Sequence, residues 1–202
     1  MNYSELFNRI FDEATALYHV ADHVDAETKN PYAEGSIEFL LFSKNMIDAV
    51  QWHLEDIIRN PVINPTDALI IKRRIDRSNQ ERTDLVEYID DYFVRRFENV
   101  IPNCDARINT ETPAWAIDRL SILALKIYHM RQETMRNDAT PKHAETCRQK
   151  LNVLLDQKSD LSTAIDDLLA NIESGSKKMK LYRQMKMYND PALNPVLYGA
   201  KK

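Results

Sequence analysis

The chain has 202 residues, with 27 Lys and Arg against 31 Asp and Glu, a formal net charge of −4, and 44% hydrophobic residues. This balance supplies a core, and its acidic sign argues against nucleic acid as the main partner. The three glycines, Gly35, Gly175 and Gly199, are scattered, which excludes P-loops and dinucleotide fingerprints. So little glycine among so many helix formers also speaks against a sandwich or barrel.

Prolines parse the chain. They sit beside Asn, Thr or Asp and interrupt none of the long periodic segments, where each would cost about 3 kcal/mol. The first predicted helix covers residues 2–22. Its acidic Glu5, Asp12 and Glu13 break up the apolar positions, so it lacks the pattern of a secretory signal. No stretch reaches the roughly 18 apolar residues of a membrane span. With Cys104 and Cys147 isolated, the expected state is reduced, buried or half-buried thiols in a cytoplasmic protein. His19 and His23 stand one helical turn apart near Asp22, two of the four ligands that a metal needs. No metal or cofactor is predicted from that pair.

The second helix, 36–59, has a core face of Leu40, Ile47, Val50, Leu54, Ile57 and Ile58. Trp52 lies away from it, with Asn45 and Asp56, while Lys44, Asp48, Glu55 and Arg59 are spaced for surface ion pairs. Two readings stand for Trp52-His53-Leu54-Glu55-Asp56. Trp52 is a stacking platform with His53, Glu55 and Asp56 as hydrogen-bonding or acid–base groups, or it packs on a neighbouring helix beside solvated charges.

The third helix, 65–99, begins with Asn64 capping and Pro65 at its first position. Ile71, Ile75, Leu85, Val86, Ile89 and Phe93 share one face, and Arg82 falls near its middle beside Ser78 and Asn79. A guanidinium there demands a carboxylate or a bound anion. An internal salt bridge and a ligand site both satisfy that demand. Asp84, Glu87, Asp90 and Asp91 point mostly away from the seam and read as a wet surface.

Helix 113–136, capped by Thr112, is apolar over more than half its circumference and should be largely enclosed. Its remaining strip carries Asp118, Arg119, Lys126, His129 and Glu133, with Trp115 at its start, and Asp118 beside Arg82 would satisfy both charges. Helix 141–173, capped by Thr140, carries a seam of Cys147, Leu151, Leu154, Lys158, Leu161, Ile165, Leu168 and Ile172, ended by Gly175. A short basic helix over 176–188 and an extended tail over 189–202 complete the parse. The fold class expected is all-α: one antiparallel up-and-down bundle domain over 1–188, with five long helices, the short basic helix and the tail.

Trp52-His-Leu-Glu-Asp56, Arg73-Arg-Ile-Asp76-Arg-Ser-Asn-Gln-Glu-Arg82 and Asp118-Arg119-Leu-Ser-Ile-Leu-Ala-Leu-Lys126 resemble a bacterial all-helical family catalogued as domain of unknown function 4254. The resemblance runs from the first helix to Tyr198 and carries over no catalytic residue. The string from Asp118 also resembles a motif in small helical proteins associated with envelope-sugar transferases, which implies a link to cell-envelope glycan synthesis.

The expected function is a non-catalytic binding or scaffolding protein. Its polar cleft gathers Trp52, His53, Glu55, Asp56, Asp76, Ser78, Asn79, Arg82, Asp118, Arg119 and Lys126 for a small anionic ligand or a protein partner. Two alternatives stand beside it. One is an enzyme on a phosphorylated or nucleotide-activated sugar, with Arg82 holding phosphate and His53 or Asp56 moving protons. The other is a structural homodimer organised by the C-terminal tail.

Overall fold

The computed structural model describes residues 2–183, 192, 193 and 199. The described residues form five helices: α1 Tyr3–Ala21, α2 Ile37–Ile58, α3 Pro65–Arg96, α4 Pro113–Thr134 and α5 Pro141–Glu173. The fold is all-α apart from one two-residue parallel pairing, β1 Arg107–Ile108 with β2 Lys177–Lys178. Among the described residues, no helix is long and apolar enough to cross a membrane.

The helix starts follow from local chemistry. Asn64 accepts a hydrogen bond from the Thr66 N–H, Thr112 from Trp115 and Thr140 from His143, each immediately ahead of a proline at the first helical position. Ser36 caps α2 in the same way, by accepting from Phe39. Each such side chain satisfies a backbone donor that the helix itself leaves open, worth about 1 kcal/mol.

All five helices contribute to one buried cluster. Phe7, Ile10 and Phe11 of α1 meet Leu41 and Phe42 of α2, Ile89 and Phe93 of α3, Ile117 and Leu120 of α4, and Ile165 and Leu169 of α5. The α5 seam lies where periodicity puts it, and its polar break, Lys158, reaches Asp12 of α1 at 3.2 Å.

Helix α4 packs against all four other helices, in keeping with its broad apolar surface. Helix α2 touches α1, α3 and α4, and this overturns the face assigned to it. Lys44, Asn45 and Asp48 are buried, whereas Ile57 of the expected core face is exposed. The reason is geometric: a helix with three neighbours has no single wet side, so its central polar residues are enclosed along with its apolar ones. Asp90 is likewise buried rather than wet, and its carboxylate accepts the Ala114 N–H at the start of α4. Cys147 is buried, while Cys104 is exposed rather than half-buried; both are free thiols.

The basic helix expected from residue 176 is absent from the described part of that segment. Residues 177–178 form β2, and 179–183 have no regular structure. Gly175 diverts the chain with φ 75°, and a Cβ there would sit 2.8 Å from the Ile101 carbonyl oxygen, so only glycine fits. Its own carbonyl accepts the Asn103 N–H, and Lys177 Nζ donates to Asn109 Oδ1 at 2.7 Å, holding the strand on the 101–109 loop instead of winding it into a helix. The remainder of the basic segment, 184–188, and the 189–202 tail, apart from residues 192, 193 and 199, lie outside the described residues.

Candidate functional site

The polar centre of the molecule is a four-charge cluster on three helices. Lys44 of α2 has no solvent exposure, and its ammonium touches Asp48 one turn later and Asp118 Oδ1 of α4 at 2.9 Å. Arg82 of α3 grips Asp118 with both ends of its fork, Nε to Oδ1 at 2.9 Å and Nη2 to Oδ2 at 2.6 Å. Asp48 Oδ1 stands 3.5 Å from Arg82 Nε, and its Oδ2 accepts the Ser121 hydroxyl at 2.6 Å. Asn45 extends the array, donating to Ser121 Oγ at 3.0 Å and accepting from Thr15 of α1 at 2.9 Å. Four helices are thereby tied through one network.

Two cations and two carboxylates balance, as charges in a protein interior must. Burial drives the Asp48 carboxyl above its ordinary pKa, outweighing Lys44 and the Ser121 hydrogen bond. Burial pushes Asp118 the same way, but the Lys44 charge and the Arg82 hydrogen bonds prevail and hold it below the ordinary carboxylate value. Arg82 shows the reverse: burial lowers it, and Asp118 more than restores it, so it stays a cation.

Above this cluster lies a cleft of about 290 Å³, lined by Asp48, Gln51, Trp52, Glu55, Asp56, Arg59, Arg82, Ile122 and Leu125. Trp52, Ile122 and Leu125 supply apolar walls. Glu55 and Arg59 pair at the rim at 3.0 Å. Arg82 brings the cluster to the cleft with its side chain 25% exposed. Its Nε and Nη2 are committed to Asp118, and its Nη1 carries no hydrogen bond to the described residues.

Trp52 also stacks on His129 of α4, ring centroids 4.7 Å apart and planes 10° from parallel, which joins the cleft to a second polar cluster. There the imidazoles of His19, His53 and His129 each place a ligand atom within 4.8 Å of the other two. Burial, aided by the neighbouring imidazoles, lowers the pKa of His129 to about 4. His53 is lowered chiefly by burial as well. Both rings are neutral at pH 7.

A family model described as a protein of unknown function (DUF4254) matches residues 38–181, well over half of the chain. The chain belongs to the DUF4254 family. No curated protein and no solved structure matches it. The DUF4254 segment contains α2 from its second residue and all of α3 and α4, hence the four-charge cluster and the entire cleft lining, whereas Thr15 and His19 on α1 precede it.

The residues singled out in this DUF4254 chain do not all converge. Trp52, Glu55, Asp56 and Arg82 line the cleft, and Asp118 anchors Arg82 from below. Asn79 is one step away, its Oδ1 accepting from Gln51 Nε2 at 2.8 Å. Ser78 also contacts Gln51, at 3.3 Å, but borders a different groove with Arg74, Arg77 and Glu81. Four residues fall elsewhere. Asp76 pairs with Lys72 on the exposed side of α3, and Arg119 pairs with Glu111 beside a separate groove containing Trp115 and Tyr182. Lys126 is exposed without lining the cleft. His53 turns to His19 instead, their Nε2 atoms 3.4 Å apart, and His23 falls beyond the end of the helix that carries His19. Helix α1 ends at Ala21, Asp22 adopts a left-handed φ of 49°, and the one-turn spacing of the two histidines is lost.

Sequence reasoning missed Lys44, Asn45, Asp48, Gln51 and Ser121 as parts of the site. One signal was available for the α2 members: apolar residues occur all round this helix, as expected of a helix with neighbours on several sides.

Proposed function

We propose that this chain is a non-catalytic binding protein whose cleft between α2, α3 and α4 takes a small anionic ligand with a flat or apolar body. The observation that carries this reading is the state of Arg82. Asp118 holds its guanidinium in a fixed plane at the cleft floor and leaves Nη1 for an incoming oxygen. Binding to such a donor needs no reorganisation, and the Trp52 wall supplies a stacking surface beside it. The rim also carries Asp56 and the Glu55–Arg59 pair, so a bare anion is a poorer fit than an organic phosphate offering hydroxyls to the carboxylates.

Isothermal titration with inorganic phosphate, a hexose 1-phosphate and a uridine diphosphate hexose tests the reading. Saturable binding of an organic phosphate is expected, weakened more than tenfold by Arg82→Met and unchanged by Arg119→Ala or Lys126→Ala. Binding of none of the three, or an Arg82→Met protein that binds as tightly as the parent, overturns it.

The enzyme alternative fits less well, because His53 does not line the cleft and Asp56 is left as its proton carrier. Turnover of the bound nucleotide sugar would favour it over simple binding. The link to envelope glycan synthesis has its support in the Asp118–Lys126 string alone. A cytoplasmic location is supported by the two free thiols. An antiparallel up-and-down bundle in one domain is supported by the short connections 59–64 and 135–140. The homodimer alternative depends on the tail, which lies largely outside the described residues.

A further inference from the structure

We propose that His19, His53 and His129 form a binding site for one divalent transition-metal ion, zinc foremost. Three helices supply one imidazole each, α1, α2 and α4, and a constellation of this kind cannot arise from helical periodicity on any one of them.

Donor geometry is the first support. His19 Nε2 and His53 Nε2 are 3.4 Å apart. Two ligands of a tetrahedral zinc, each about 2.0–2.1 Å from the ion, stand at about that separation. The His129 ligand atom lies within 4.8 Å of both, so a shift of about an ångström closes the triangle. Asp22 Oδ1 is 3.7 Å from His53 Nε2 and offers a carboxylate at the edge of the group. Water can take the fourth position just as well.

The second support is the state of each ring. His19 Nδ1 lies 2.7 Å from the Thr15 carbonyl oxygen, which requires the proton on Nδ1 and leaves a lone pair on Nε2 facing His53. This arrangement, one imidazole nitrogen donating to a backbone carbonyl and the other presenting its lone pair, is how metal-ligating histidines are oriented. An ion would take the place of the His53 Nε2–H that now meets this lone pair, with the His53 proton moving to Nδ1. His129 Nε2 is buried and has no hydrogen-bond partner among the described residues. Buried nitrogens of this kind are rare unless something outside the chain satisfies them.

The third support is packing. Each imidazole is held by an aromatic ring: Tyr18 stacks on His53 at 5.1 Å, Tyr128 on His19 at 4.0 Å and Trp52 on His129 at 4.7 Å. Locked rotamers keep the three imidazoles converging at low entropic cost. The competing group Glu133, His143 and Cys147 is weaker, since its one imidazole, His143, is exposed.

The site is independent of the ligand reading of the cleft, although Trp52 touches both. The test uses the full chain, freed of metal by chelation and titrated with Co²⁺ by visible absorption, then with Zn²⁺ in competition. One equivalent is expected to bind with the intense spectrum of a tetrahedral or five-coordinate nitrogen-ligated ion. His53→Gln and His129→Gln should each weaken zinc binding by more than about tenfold, the range that even outer-sphere changes reach. His23→Ala and His143→Ala should leave it unchanged. Should a histidine variant fail to fold by circular dichroism, nitrogen-15 spectra of the wild-type imidazoles decide the matter, because zinc must shift the resonances of His19, His53 and His129 together. No binding, binding that survives both glutamine variants, or shifts confined to His143 would overturn the proposal.

Discussion

The four-charge cluster and the three-imidazole cluster share α2 and α4 and differ in their third helix, α3 for the charges and α1 for the imidazoles. In the first, bonding capacity is matched from within except at Arg82 Nη1, which opens on the cleft. Asp118 serves Lys44 and Arg82, Asp48 serves Lys44 and Ser121, and Asn45 joins Ser121 to Thr15. In the second, ring faces are covered while the ring nitrogens are only partly matched: two Nε2 atoms share one long hydrogen bond at 3.4 Å and His129 Nε2 has no partner among the described residues. Burial of polar groups therefore says little by itself about ligands. Unmatched donors and acceptors say more, because a matched network is satisfied by the fold and an unmatched one is satisfied by something added to it.

The largest expected effect comes from breaking the matched cluster. Lys44→Met leaves Asp48 and Asp118 sharing a single guanidinium in the interior, and should cost about 3–5 kcal/mol in urea unfolding. The double variant Lys44→Met with Asp48→Leu should recover much of that loss, since it removes the uncompensated charge. A double variant as unstable as the single one would show that packing rather than charge balance governs this position.

The imidazole cluster should respond in the opposite sense, by gaining stability from an addition. Zinc at a hundredfold excess over its dissociation constant should raise the unfolding free energy by about 2.7 kcal/mol, read as a shift of the melting temperature. The same zinc concentration should stabilise His129→Gln by about 1.4 kcal/mol or less, and an equal shift in that variant would detach the effect from the cluster.

Asp90 sharpens the comparison as a buried carboxyl that makes no ion pair among the described residues, the Arg183 charge acting on it from beside Asp91. Burial raises its pKa from the ordinary 3.8 to about 6, against the pull of Thr112 and the Ala114 N–H. The folded state therefore holds this proton longer than the unfolded chain does, so stability from this group is full below pH 4 and is lost as pH rises to 6. The shift corresponds to about 2–3 kcal/mol. Asp90→Asn should remove that slope, so its stability relative to the parent improves by this amount between pH 4 and pH 7 in parallel denaturant titrations. An unchanged difference across that range would place the Asp90 pKa near its ordinary value.

The smallest effect is expected at Arg82, whose side chain is 25% exposed and whose loss leaves Asp118 still paired with Lys44. Arg82→Met should lower stability by about 1–2 kcal/mol, clearly less than Lys44→Met, because water can reach the space it leaves. Equal losses at the two positions would mean that the cleft floor is closed to solvent.

Much of the fold was legible before any coordinates. Asn64-Pro65, Thr112-Pro113 and Thr140-Pro141 start three helices by chemistry confined to a few adjacent residues, and the α5 seam repeats with a period set by backbone geometry. The demand of Arg82 for a carboxylate was equally local, because a guanidinium on an apolar face needs a partner wherever it goes. What only the tertiary structure decided was which surfaces face one another. Lys44 and Asp48 have the spacing of a solvated ion pair and are buried because α2 has neighbours on three sides. His19 and His23 have the spacing of shared ligands and are parted because α1 stops at Ala21, while His53 and His129, 76 positions apart in sequence, are brought together with His19. Capping and periodicity are short-range properties of a chain, whereas convergence of side chains depends on how helices are arranged, and no spacing along one helix encodes its neighbours.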